Sequence, residues 1–158
     1  MHEIISNVRL EMENVLSYRA RATQAQLTQV SKDIAEMLKA NGAKAVGPTV
    51  TATFAMDSSG AEPVMDIEIL VPLDKEISVT PPYAIKPLFR LTNALRIRHK
   101  GDPALLKDTA DELMEYVKAN SLTPITAGYN VTVQEPAAPE DIKDLIIDIY
   151  LGVTENIL

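Results

Sequence analysis

The second half of this chain restates the first. Sliding the sequence by 79 residues places Asn14 on Asn93, Leu16 on Leu95, Arg19 on Arg98, Ala25 on Ala104, Leu27 on Leu106 and Glu36 on Glu115. The same shift brings Lys39-Ala40-Asn41 onto Lys118-Ala119-Asn120, and a shift of 80 brings Ile67-Glu68-Ile69 onto Ile147-Asp148-Ile149. Matches that keep helix limits and strand positions together point to an internal duplication, with pseudo-repeats over 8–73 and 87–154. Whatever unit folds once must fold twice.

Each repeat centres on an amphipathic helix. Over 23–42, Leu27, Val30, Ile34 and Leu38 recur at the three-and-four spacing of one helical stripe. Thr23 with Gln26 forms a capping box and Asn41-Gly42 a stop. Over 102–120, Asp102 suits the N-cap and Pro103 the first helical position, while Leu106, Leu113 and Val117 face inward.

The remaining apolar runs read as strands, about 8–21, 49–56 and 64–72 in the first repeat and 87–100, 128–134 and 144–153 in the second. Asp57-Ser58-Ser59-Gly60 and the Pro-rich stretch 135–141 occupy equivalent turns, and Pro81-Pro82 marks the joint. The expected fold is α+β: duplicated βαββ units in one domain over 1–158, forming an antiparallel sheet with both long helices on one face and a central groove on the other.

Strand alternation assigns side chains to these faces. Ile147, Ile149 and Leu151 meet the helices, which leaves Asp148 and Tyr150 opposite; in the first repeat Ile67, Ile69 and Val71 leave Glu68 and Leu70 opposite. Arg19 and Arg98 turn toward the same face as these carboxylates. Two readings stand side by side. The arginines pair with Glu68 and Asp148 as charges on a half-wet sheet do. Alternatively, the two acids flank a groove walled by Tyr150 and apolar side chains, fit for an amphipathic cation or a hydrogen-bond donor.

Composition narrows the function. Fifteen basic against 22 acidic residues give a net charge of −7, which repels phosphate backbones and anionic lipid and argues against nucleic-acid or membrane-surface partners. With no cysteine there is no disulfide, thiolate metal site or thiol nucleophile. His2 and His99 are the only histidines, so no metal cluster of usual spacing can be written, and no phosphate loop or serine elbow is present. The N-terminus lacks the pattern of a signal peptide and no stretch approaches a membrane span, so a cytoplasmic location is expected. No cofactor is expected.

The chain resembles the gyrase-inhibitor-like, or bacterial transcription activator effector-binding, domains. The resemblance rests on His99-Lys100-Gly101-Asp102-Pro103, the helix carrying Leu113-Met114-Glu115-Tyr116, the strand Asp66-Ile67-Glu68-Ile69-Leu70-Val71-Pro72, and the ending Ile147-Asp148-Ile149-Tyr150-Leu151-Gly152-Val153. It spans nearly the whole chain and implies a duplicated βαββ fold whose groove binds drugs or other amphipathic molecules. An acidic residue on the closing strand is common there, and Asp148 stands at that position in place of the usual Glu. Gly152 stands where Pro is common, and Asp102-Pro103 replaces Pro-Tyr. The duplicated unit consumes the chain, which leaves no room for a helix-turn-helix and implies a stand-alone small-molecule binder.

The expected ligand residues are Asp148, Glu68, Tyr150, Leu70, Arg19, Arg98 and Tyr116. Two alternatives remain. One is a protein-interaction or inhibitor module acting through its acidic surface. The other is a small-molecule hydrolase of the same fold, using Asp148 with Tyr150 or Glu68 with Tyr116, although Tyr116 on its helix reads more readily as core.

Overall fold

The computed structural model describes residues 2–155. Its contacts divide the chain into two compact units, Met12–Phe89 in one and Met1–Glu11 with Arg90–Leu158 in the other. Residues 2–11 therefore pack with the second half of the chain, and the boundaries run inside strands rather than at the repeat limits.

The unit of residues 12–89 contains most of strand β1 (Ile4–Ala22), helix α1 (Gln24–Ala40), β2 (Val50–Asp57), β3 (Val64–Pro72) and the start of β4 (Tyr83–Lys100). β3 pairs antiparallel with both β1 and β2, with Arg19 opposite Glu68 and Val50 opposite Leu70. α1 starts at the capping box: the Thr23 N–H donates to Gln26 Oε1 and the Gln26 N–H to Thr23 Oγ1. It stops at Asn41, whose backbone and side-chain N–H groups both close onto the Met37 carbonyl, and Gly42 follows at φ 62°. Leu27, Val30 and Ile34 bury against Leu16, Tyr18, Ile67, Ile69 and Val71, each fully buried side chain contributing about 1.5–3 kcal/mol.

The other unit holds the rest of β4, helix α2 (Leu106–Ala119), β5 (Leu122–Gln134) and β6 (Ile146–Glu155), with β6 paired antiparallel to both β4 and β5. Leu113 and Val117 of α2 pack on Leu95, Ile97, Ile149, Leu151 and Val153. The expected helix start at 102 is a 3-10 turn, Pro103–Leu105, that runs into α2. Pro103 has no N–H to give, and Asp102 holds the turn with its side chain on the Ala104 N–H and its carbonyl on the Leu105 N–H. His99 is buried at the same corner. Its Nε2–H donates to the Asp102 carbonyl (2.9 Å), which leaves Nδ1 to accept from the Thr109 hydroxyl (2.7 Å), so this histidine pins α2 to the end of β4.

Strand limits differ where proline and bulges intervene. β5 begins at Leu122 rather than near 128, and its register on β6 shifts between Pro124 and Gly128, where the proline cannot donate to the ladder. β1 and β4 begin at Ile4 and Tyr83, four residues ahead of their expected starts.

The face turned from the helices, expected to form a groove, is closed in part. In the first unit Val15, Ser17, Val50, Ala52, Glu68 and Leu70 are buried on it, and their mostly small and aliphatic side chains are the signature of strands covered on both faces. In the second unit Ala94, Val131 and Asp148 are buried, while Arg98 and Lys100 on the same face stay exposed.

Candidate ligand site

Two carboxylates are buried on these second faces, Asp148 at 3% exposure and Glu68 at 5%. An ionised carboxylate removed from water must be held by hydrogen bonds and a counter-charge, and each acid meets this requirement differently.

Asp148 faces Arg98 directly across the β4–β6 ladder. Arg98 Nε donates to Oδ1 at 2.7 Å and Nη2 to Oδ2 at 2.9 Å, a two-pronged fork that occupies both carboxylate oxygens. The hydrogen bond to Asp148, followed by its charge, pushes the Arg98 guanidinium still further up from its ordinary range. Tyr150 follows two residues on, on the same face, half-buried, with Arg96 and Tyr129 as its cross-strand neighbours.

Glu68 faces Arg19 in the same register, yet the two do not pair. Arg19 forks instead onto Asp66, at 2.8 and 3.0 Å, and lies 3.7 Å above the Phe54 ring. Asp66 is more accessible than Glu68, so the guanidinium gains a bidentate partner and a ring face while staying hydrated. The Arg19 hydrogen bonds in turn hold the Asp66 carboxyl below its usual range. Glu68 is held by Ser17 Oγ–H at 2.7 Å and by Lys86 Nζ at 2.6 Å, both on Oε2. Leu70, fully buried, lies two residues along the same face.

The expected set is therefore brought together in part. Asp148, Arg98 and Tyr150 share one face, as do Glu68 and Leu70 on theirs. Arg19 is not the counter-ion of Glu68. Tyr116 is not beside Asp148, because it lies on α2 and packs into the cluster on the helix side of its sheet. There it lines a cavity of about 470 Å³ with His2, Ile4, Glu112, Glu115 and Ala119, next to the His2 Nδ1 bond to Glu112 Oε2 (2.6 Å).

Ser17 and Lys86 beside Glu68, and Tyr129 beside Tyr150, were unforeseen. Ser17 shares the alternation of Arg19 and was readable from it. Lys86 lies one residue before the expected start of its strand. Tyr129 takes its place only through the β5–β6 register, which is set across strands.

No protein-family model and no curated protein sequence matches the chain. Among solved structures, it is similar to the EcmrR C-terminal domain, with a TM-score of 0.75 at 16% identity over 99% of each chain. It is similar in the same way to EcmrR in a complex with DNA, with a TM-score of 0.77 at 16% identity; there it aligns over 99% of its own length and spans 58% of that chain. An uncharacterized conserved protein from Listeria innocua follows, with a TM-score of 0.60 at 15% identity over 97% of this chain and 92% of that one. At these identities the likeness establishes the fold.

Proposed function

We propose that this domain binds a small amphipathic molecule and that Glu68 is the anchor for its cationic or hydrogen-bond-donating group. One observation carries the reading: Glu68 is buried among Val15, Val50, Ala52 and Leu70, but both of its bonds fall on Oε2. Oε1 is the acceptor left for a ligand. The counter-ion is a lysine on a flexible stem, 39% exposed, which can swing aside when a ligand cation takes its place. Asp148, in the other unit, differs, because Arg98 occupies both of its oxygens and is held by them. The same fork leaves Asp148 a poor general base, which weakens a hydrolytic role for Asp148 with Tyr150. Support also comes from the sequence resemblance to effector-binding domains and from the fold shared with the EcmrR C-terminal domain.

Tetraphenylphosphonium and tetraphenylborate are nearly isosteric and opposite in charge, so together they separate anchoring by Glu68 from simple apolar uptake. The cation is expected to raise the melting temperature and the anion to leave it unchanged, with Glu68→Gln weakening cation binding about tenfold, a loss of about 1.4 kcal/mol. Equal shifts from both ions, or unchanged binding in Glu68→Gln, would overturn the assignment.

A further inference from the structure

The unit that contains Asp148 also carries a run of cations. Arg96, Arg98 and Lys100 alternate along the end of β4, so all three project from one face at steps of about 7 Å. Together with His2, Glu3 and Ile5 from the start of the chain they line a recess of about 420 Å³, within the range of small-molecule sites.

Three features make this recess more than a solvated face. Among the described residues, the side chains of Arg96 and Lys100 have no hydrogen-bond or ion-pair partner. Arg98 is held rigidly by its Nε and Nη2 on Asp148, which leaves its Nη1 donors uncommitted and fixes their direction. Ile5, partly exposed, supplies an apolar wall. Glu3 is the one carboxylate in the lining, and since Asp148 already balances Arg98, Arg96 and Lys100 are the two cations set against it. Like charges gathered in a concavity raise the local positive potential, and a bound anion relieves it.

We propose that this recess is a binding site for a small organic anion carrying two or more carboxylate or phosphate groups, separate from the Glu68 site. An extended polyanion can bridge Arg96 and Lys100 while a central acidic group or hydroxyl meets the Nη1 donors of Arg98.

Calorimetric titration of the full chain with citrate and, separately, with fructose 1,6-bisphosphate tests this at constant ionic strength. At least one is expected to bind, and which one binds assigns carboxylate or phosphate chemistry. The double variant Arg96→Gln/Lys100→Gln keeps most of each stem and is expected to weaken binding at least tenfold. Glu3→Gln should tighten it, a gain that a misfolded variant cannot mimic. No binding of either anion, or affinity unaltered in the double variant, would overturn the proposal. So would an effect that sodium chloride reproduces at matched ionic strength.

Discussion

Gly152 sits where a side chain has no room. A Cβ built there would lie 2.8 Å from Leu91 Cδ1 and 2.9 Å from Thr126 Cγ2. Its N–H donates to Thr126 Oγ1 at 3.0 Å. A proline at this position would lose that donor as well as meet the clash. Gly152→Ala is expected to destabilise the fold by about 1–3 kcal/mol through overpacking, read as a lower urea midpoint at unchanged slope. Thr126→Ala made together with Gly152→Ala should recover part of the loss, because it removes one of the two obstructing side chains. Asp148 is one methylene shorter than the glutamate common at its position in the resembling family, and its reach suits the direct fork with the cross-strand Arg98.

At the level of elements, the long strands β1 and β4 share one device. Asn14 and Asn93 both adopt left-handed backbone, φ 53° and 51°, inside an extended run. Each side chain donates Nδ2–H to the carbonyl just past the neighbouring stretch of chain, Asn14 to Leu73 at 3.3 Å and Asn93 to Val153 at 3.0 Å. Asparagine tolerates this conformation and carries the donor that holds it, which gives the 79-residue match at this position a physical cause. Asn93→Ala should cost about 1–3 kcal/mol through backbone strain and the lost bond. Asn93→Gly, which relieves the strain, should cost less. Asn14→Ala should cost less than Asn93→Ala, since the Asn14 bond is longer and its buried Oδ1 lacks a partner. Denaturant titrations of the three variants rank them, and equal losses for Asn93→Ala and Asn93→Gly would show that backbone strain plays no part.

For the molecule as a whole, what was legible followed from periodicity and what was not followed from register. The limits and capping box of α1 and the inward stripes of Leu27, Val30, Ile34, Leu113 and Val117 are local patterns, and they stand in the structure, while the start of α2 is shifted by the 3-10 turn at Pro103. The alternation that put Glu68 and Asp148 opposite the helices is equally local. Whether Arg19 or Lys86 neutralises Glu68 depends on rotamers and on a strand start, and these are decided by Phe54, Asp66 and the reach of β4. Electrostatics then acts over the whole fold. Asp66 is held low by its Arg19 hydrogen bonds, Asp57 by those from Ser59, and Glu112 by that from His2. A carboxylate whose folded pKa lies below its unfolded value adds stability that is fully present above the unfolded value, about 3.9 for Asp and 4.3 for Glu, and is lost as pH falls through the folded one. The melting temperature should therefore hold from neutrality down to about pH 5 and fall steeply below about pH 4, as protonation also turns the net charge from negative to positive. Asp66→Asn removes one of these groups and should shrink the drop between pH 5 and pH 2, measured by thermal unfolding in buffers of equal ionic strength. A drop as large as that of the unaltered chain would mean that the Arg19–Asp66 pair contributes nothing to acid sensitivity.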